Sequence, residues 1–296
     1  MKKIIEKAAV LIEALPYIQS FRGKMVVIKF GGSVMDNDGA VASILKDVVF
    51  MHAVGMRPVL VHGGGVRISA AMRKKGINPH FVEGYRITTK EVIDIVKETL
   101  LNEINSELVR KIKEFGADAE GISGDDSKLI SVTRFRPLIK SDPKEKPKRK
   151  DIGFVGSVES INPGPINSAL KKDKMPVIAT LGFGNDNKTY NVNADEAAGE
   201  IAQVLGAEKL VFLSNVKGVM KDPEDEDSLI SSLKLSMVEQ LMANNIISGG
   251  MIPKIRACIK AVSNGVHKTH VIDGRIPHSL LLEIFTDKGI GTQIVH

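Results

Sequence analysis

Short runs rich in Val and Ile recur along the chain, separated by stretches whose apolar residues return every three or four positions. Five runs are compact enough to be strands, at 25–30, 58–62, 177–181, 210–214 and 270–273. Between them, 91–115 places Val92, Ile95, Val96, Leu100, Ile104, Leu108 and Ile112 on one helical face, and 194–205 and 253–265 also read as helices. This alternation predicts an α/β fold around a mainly parallel sheet, with ligands at the carboxyl ends of its strands. From 130 to 161 the pattern shortens to β segments around a basic Pro/Lys loop, expected as a hairpin excursion. The Gly/Asn/Asp-rich stretch 182–188 is the expected boundary between an N-terminal lobe (21–185) and a C-terminal lobe (186–296). Ahead of the first strand, Ile4, Ile5, Ala8, Leu11, Ile12 and Leu15 recur at helical spacing with Lys and Glu opposite, which predicts a helix over 1–20 with an apolar stripe to bury.

Composition narrows the picture. With 296 residues, 43% hydrophobic and 26% charged, the chain can bury a large core. A single cysteine, Cys258, excludes an internal disulfide framework and fits a reducing compartment. Glu6 and Glu13 interrupt the first apolar run, so it does not read as a signal peptide, and no later run has the length of a membrane span. A cytoplasmic protein without membrane contacts is expected. The net charge of +6 is spread along the chain apart from one cluster at 140–150, and aromatic residues make up only 4%. Nucleic acid is therefore not the expected partner, because stacking platforms are scarce; small anionic ligands fit the charge better.

Glycines mark candidate anion sites at Gly31-Gly32, Gly63-Gly64-Gly65, Gly182-Phe183-Gly184 and Gly249-Gly250, each read as a strand end leading into a helix. Glycine there lets backbone N–H groups approach an anion beside the positive end of a helix. A tight turn explains any one of them equally well; several in one chain favour phosphate or carboxylate ligands. No Walker A motif, no dinucleotide fingerprint and no protein-kinase H-R-D or D-F-G is present, so a nucleotide would have to be held by another scheme.

Six ordered segments carry a resemblance: Val27–Ser33 (VIKFGGS), Val61–Gly65 (VHGGG), Glu83–Thr88 (EGYRIT), Tyr190–Asp195 (YNVNAD), Ser214–Gly218 (SNVKG) and Gly249–Lys254 (GGMIPK). The first resembles the opening strand of the amino acid kinase family, of carbamate kinase-like fold, and the order of the rest is similar to that in acetylglutamate kinases. The resemblance runs from the first strand to the end of the chain. It implies a three-layer sandwich in two lobes, with the acidic amino acid on the N-terminal lobe and ATP on the C-terminal one. The implied reaction is transfer of the γ-phosphoryl group of ATP, with Mg²⁺, to the side-chain carboxylate of N-acetyl-L-glutamate, a step of arginine biosynthesis.

Phosphoryl transfer asks a protein to align the nucleophile and stabilise charge. Taken singly, Lys29 and Lys254 read as solvated charges and Asp195 as a first-turn carboxylate favoured by a helix dipole. The resemblance assigns the lysines to the transferring phosphoryl group and leaving oxygen, and Asp195 to holding them. No general base is needed, since a glutamate-type carboxylate with a pKa of about 4.3 is ionised at neutral pH. Arg86 is the candidate clamp for the acceptor's α-carboxylate, because a guanidinium meets a carboxylate with two parallel hydrogen bonds; on its own it reads as half of a surface ion pair, and Asn191 as a turn residue. Gly64 and Gly65 would add backbone N–H groups and Asn191 an amide. Gly31, Gly32, the run Asn215, Val216, Lys217, Gly218 and Val219, and the run Ile246, Ile247 and Ser248 are expected around the nucleotide. No protein metal site is expected, Mg²⁺ resting on phosphate and water.

Other kinases of the fold act on aspartate, glutamate, carbamate, uridylate or isopentenyl phosphate. The end at His296 leads us to expect none of the appended domains of some aspartate and glutamate kinases. The nearest alternative is a kinase of carrier-linked aminoadipate in lysine synthesis. An alternative of another class, a catalytically silent regulatory subunit, is disfavoured by the joint presence of Lys29, Asp195 and Lys254. In the family, an N-terminal helix accompanies arginine-inhibited enzymes and joins dimers into a hexamer. The resemblance of 270–275, 283–286 and 289–292 to the arginine-holding part of those enzymes implies an allosteric site at His270, Glu283 and Gly289.

Overall fold

A computed structural model describes residues 2–139, 147–222, 224–286 and 289–296. Helix α1 (Lys2–Phe21) leads into strand β1 (Met25–Phe30), helix α2 (Asp38–Ala53), strand β2 (Arg57–His62) and helix α3 (Gly65–Lys74). Asn37 caps α2, its side chain accepting from the Ala40 N–H. A two-stranded hairpin, β3 (Phe81–Val82) and β4 (Tyr85–Arg86), precedes α4 (Lys90–Glu98), which Thr89 caps through the Val92 N–H. A π-helical segment, Thr99–Asn105, joins α4 to α5 (Ser106–Glu114) within one long rod, and β5 (Ala119–Ser123) follows. The predicted helix over 91–115 is therefore continuous but carries an insertion.

The excursion expected at 130–161 consists of β6 (Ile130–Arg134), β7 (Leu138–Ile139), β8 (Lys148–Arg149) and β9 (Val155–Ile161). Part of the basic 140–150 cluster lies outside the described residues. Helix α6 (Gly164–Lys171), β10 (Met175–Ala179), β11 (Leu181–Gly184) and β12 (Thr189–Val192) come next. The run predicted as one strand over 177–181 breaks at Thr180, whose hydroxyl donates to the His62 carbonyl at 3.2 Å. Gly182 and Gly184 lie inside β11 rather than at a strand end before a helix. A side chain at Gly182 would meet Val132 Cγ1 at 2.4 Å, because β6, β9, β11 and β12 close on themselves in a tight ring. The remaining elements are α7 (Ala194–Val204), β13 (Lys209–Ser214), β14 (Ser232–Lys234), α8 (Leu235–Ala243), α9 (Met251–Ser263), β15 (Lys268–Asp273), α10 (Ser279–Ile284) and β16 (Thr292–Val295). Gly249 and Gly250 thus follow a helix, not a strand.

The eight-stranded sheet runs β14-β16-β15-β13-β1-β2-β10-β5, and every neighbouring pair is parallel except β15 with β16. Its central strands are near-continuous apolar runs, as burial on both faces requires. One core lies between the sheet and α2, α4 and α5, with Ile44, Met51, Leu100, Ile104 and Ile112 fully buried. A second lies between the sheet and α7 and α9, with Ala198, Ile201, Ile255 and Cys258. From β1 the chain proceeds to β2 on one side, while β13 joins β1 on the other. Strand order therefore reverses at the β1/β13 boundary, where a crevice opens beyond the carboxyl ends of the strands. Lys29 is the next-to-last residue of β1.

Candidate active site

At that crevice the Asp195 carboxylate stands between two ammonium groups. Lys29 Nζ lies 2.9 Å from Oδ1, and Lys254 Nζ donates to Oδ2 at 3.1 Å. Three elements meet here: β1 supplies Lys29, the first turn of α7 supplies Asp195, and the first turn of α9 supplies Lys254. Asn193 fixes the start of α7 by accepting from the Asp195 and Glu196 N–H groups. Burial alone would favour the neutral acid at Asp195, but the two ammonium groups outweigh it and hold the pKa at about 2. Lys254 Nζ also lies 5.4 Å from the centre of the Phe212 ring. A Cβ at Gly31 would sit 3.2 Å from Lys29 Nζ, a tight contact that would press on the bracket.

Of the clefts that reach the bracket, two are lined by both Lys29 and Gly32. The first, of about 550 Å³, is bounded by Gly63, Gly64, Gly65, Arg86, Asn191 and Asp195. Arg86 is only 6% exposed. Its guanidinium donates to the Gly65 carbonyl at 2.7 Å, to Ser69 Oγ at 2.8 Å and to Met72 Sδ at 3.2 Å, and it lies over the Phe81 ring. Burial and the nearby Arg73 lower its pKa, and no carboxylate pairs with it among the described residues. A buried cation held by neutral acceptors and facing a cleft is set up for an anionic ligand. The Gly64 and Gly65 N–H groups likewise find no protein acceptor among the described residues. Asn191 borders the same space, its amide 3.4 Å from Thr88 Oγ1.

The second cleft, of about 430 Å³, is lined by Gly31, Asn215, Val216, Ser248 and Lys254 among others. Lys217, Gly218, Val219, Ile246 and Ile247, also expected around the nucleotide, are not at its wall. Val219 and Ile247 are buried in the core, and the Val219 N–H donates to Thr292 Oγ1. Ile246 packs on the same core. Gly218 has φ 154°, and a Cβ there would meet Thr292 Oγ1 at 2.4 Å. Lys217 lies near the Asp273 carboxylate and lowers its pKa, a smaller effect than the adjacent Arg275.

A separate buried cluster contains His270 and Glu283. Glu283 Oε1 lies 2.6 Å from His270 Nδ1, and Oε2 accepts from the Ile290 and Gly291 N–H groups at 2.7 and 3.1 Å. Although burial favours its neutral form, these bonds keep the Glu283 pKa low. Gly289 faces the same carboxylate, and its φ of 60° suits glycine. Lys209, which the sequence did not single out, stands 3.3 Å from His270 Nε2, and burial lowers its pKa to about 8. Its ammonium also lies over the ring of Phe21, the last residue of α1.

Residues 24–273 match the amino acid kinase family. The chain belongs to the amino acid kinase family. It is an enzyme of the phosphotransferase type, and the kinase chemistry of the family implies use of ATP. It is 46% identical over 295 residues to an acetylglutamate kinase of Heliobacterium modesticaldum, with all of both chains covered. A carbamate kinase from Giardia lamblia bound to AMP-PNP shares the fold with TM-score 0.64 at 15% identity, covering 92% of this chain and 98% of the other. An N-acetylglutamate synthase from Neisseria gonorrhoeae superposes with TM-score 0.84 at 24% identity; 98% of this chain covers 63% of that longer one.

Sequence reasoning missed Asn193, Ser69 and Phe81. Asn193 was legible, since Asn before a helical run is a capping signal. Ser69 and Phe81 meet Arg86 only through tertiary packing and left no local trace.

Proposed function

We propose that this kinase phosphorylates the γ-carboxylate of N-acetyl-L-glutamate in the cytoplasm, giving N-acetylglutamyl 5-phosphate for arginine biosynthesis, and that arginine inhibits it. The observation that carries the reading is the Lys29–Asp195–Lys254 bracket at the junction of two clefts, one of which ends in a buried, carboxylate-free Arg86. The acetylglutamate kinases to which the chain is 44–49% identical name the acceptor.

In this reading Arg86 and the Gly64 and Gly65 N–H groups hold the acceptor's α-carboxylate, and the Asn191 amide meets its acetamido group. The γ-carboxylate, ionised at neutral pH, attacks the γ-phosphorus of ATP without a protein base. The bond to the β,γ-bridging oxygen breaks, and ADP leaves with that electron pair. Lys29 and Lys254 stabilise charge on the moving phosphoryl group and bridging oxygen, and Asp195 spaces them. Mg²⁺ carried on the phosphates would neutralise their charge. Mutual ADP release with acetylglutamate, glutamate, aspartate and aminoadipate, measured in one coupled assay, tests the assignment. Turnover restricted to acetylglutamate supports it, and preference for another acceptor overturns it.

For arginine, the carboxylate of Glu283 is the proposed partner of the guanidinium, with His270 and backbone groups near Gly289 around it. Because Glu283 Oε1 is already on His270, a guanidinium must share or displace that contact. We further propose that α1 joins dimers into a hexamer.

A further inference from the structure

His62, the last residue of β2, is fully buried and immediately precedes the glycines of the acceptor cleft. Its Nδ1 lies 3.1 Å from the Gly63 carbonyl, and its Nε2 lies 2.9 Å from the side-chain nitrogen of Asn105. The same Asn105 nitrogen also reaches the Val177 carbonyl at 2.9 Å. A carbonyl can only accept, so the amide nitrogen faces Val177 and donates one hydrogen there and the other to His62. Nε2 is therefore an acceptor, and the neutral ring carries its proton on Nδ1, where it donates to Gly63. Burial, with a smaller contribution from Arg67, lowers the ring's pKa to about 4, so this neutral tautomer persists across the working pH range.

Asn105 reaches this position through the π-helical segment. It is the last residue of Thr99–Asn105, where wider winding turns the helix face relative to an unbroken α-helix. Leu100 and Ile104 of the same segment press on Gly64, where a Cβ would approach them to 2.8 and 2.5 Å. On its other side, Asn105 Oδ1 would lie 2.1 Å from a Cβ at Gly121, so β5 also makes room for this amide.

We propose that His62 and Asn105 are positioning residues that set the Gly63–Gly64 peptide for acceptor binding. In a trans peptide the C=O and the following N–H point in opposite directions. Holding the Gly63 carbonyl against the imidazole thus turns the Gly64 N–H away from it, toward the cleft that Gly63, Gly64 and Gly65 line. This deepens the proposed function and rests on its assignment of the glycine N–H groups to the acceptor.

Asn105→Leu removes both donors at similar volume and tests the relay, with two readouts. In the ligand-free protein, the ¹⁵N shifts of His62 should report the Nδ1–H tautomer that the Gly63 carbonyl requires, and the Gly64 amide resonance should be displaced in the variant, where the ring has lost its Asn105 anchor. In turnover, KM for acetylglutamate should rise about tenfold while KM for ATP stays within twofold, the worth of one oriented hydrogen bond to a charged ligand. Asn105→Gln, which keeps the amide, should recover part of the loss. An unchanged Gly64 amide in Asn105→Leu overturns the proposal, as does a loss of thermal stability without the split in KM values. If the native chain turns over a different acceptor, the functional reading fails, and the ¹⁵N readout still decides the relay.

Discussion

Lys29 and Lys254 reach opposite oxygens of one carboxylate, Asp195, from strand and helix elements separated by most of the chain. The bracket sets the spacing of two positive charges at the walls of both clefts. Lys29→Ala or Lys254→Ala should therefore lower kcat on the order of 10²-fold or more, as loss of other preorganised charge stabilisers does. The melting temperature should move little by comparison. Near-normal turnover in either folded variant would remove that lysine from the mechanism.

The Asp195 carboxylate has a second consequence, in pH dependence. Its pKa is about 2 in the folded chain against an ordinary 3.8, so the stability it contributes is fully present above about pH 4 and is lost as pH falls through about 2. That contribution is about 2 kcal/mol. Urea unfolding of the native chain and Asp195→Asn should show their stability gap shrinking by about this amount between pH 5 and pH 2. Asp195 remains ionised well below pH 4, so the acid limb of kcat/KM should follow the acceptor's own carboxylate. A limb that shifts with Asp195→Asn would contradict this.

The outline of this site was legible because its parts are local. An apolar strand that carries Lys29 and is followed by Gly31, and a capped helix start carrying Asp195, each leave a short sequence signature. Where the reading failed, distance was the cause. Nothing in 182–184 announces that Gly182 and Gly184 serve a closed ring of strands, nor in 249–250 that a helix precedes the glycines. Val219 and Ile247 sit beside cleft residues in sequence yet point into the core, a distinction that depends on backbone direction rather than residue type. The π-helical insertion at 99–105 is equally silent, since its apolar spacing still resembles an ordinary helix.

Arg86 lines the cleft of Gly63, Gly64 and Gly65, proposed for the acceptor, and not the cleft beside Asn215 and Ser248. Arg86→Ala should raise KM for acetylglutamate on the order of tenfold or more, with KM for ATP nearly unchanged. Arg86→Lys should rescue poorly, because an ammonium cannot reproduce the fork held by Gly65 and Ser69. Selective loss of ATP affinity would show that the assignment of the clefts is reversed.

Control by arginine is the last expectation, and it turns on how α1 meets the His270–Glu283 cluster. Near its C-terminal end the helix packs inward: Tyr17 stacks edge-on with Phe285, and Phe21 lies beneath the Lys209 ammonium. Farther toward its start, Ile5 and Ile12 are 61% and 69% exposed, and Leu15 is exposed as well. The side chains of Ile4, Ala8 and Leu11, which complete the expected stripe, lie outside the described residues. An apolar stripe on one end of a helix whose other end touches the cluster gives a physical link between assembly and ligand. Arginine inhibits only if it favours one assembly state over another, since a ligand with equal affinity for both shifts nothing. Arginine in the millimolar range or below should thus inhibit the full chain, and Glu283→Ala should abolish inhibition while activity remains. Glu283 also holds the Ile290 and Gly291 N–H groups, so this variant should melt at a lower temperature, and Glu283→Gln separates the two effects by keeping an acceptor without the charge. Deleting residues 1–20 should give active dimers that arginine inhibits weakly. Kinetics indifferent to arginine in the full chain, together with a dimeric mass by light scattering, would overturn the regulatory reading and leave the kinase assignment standing.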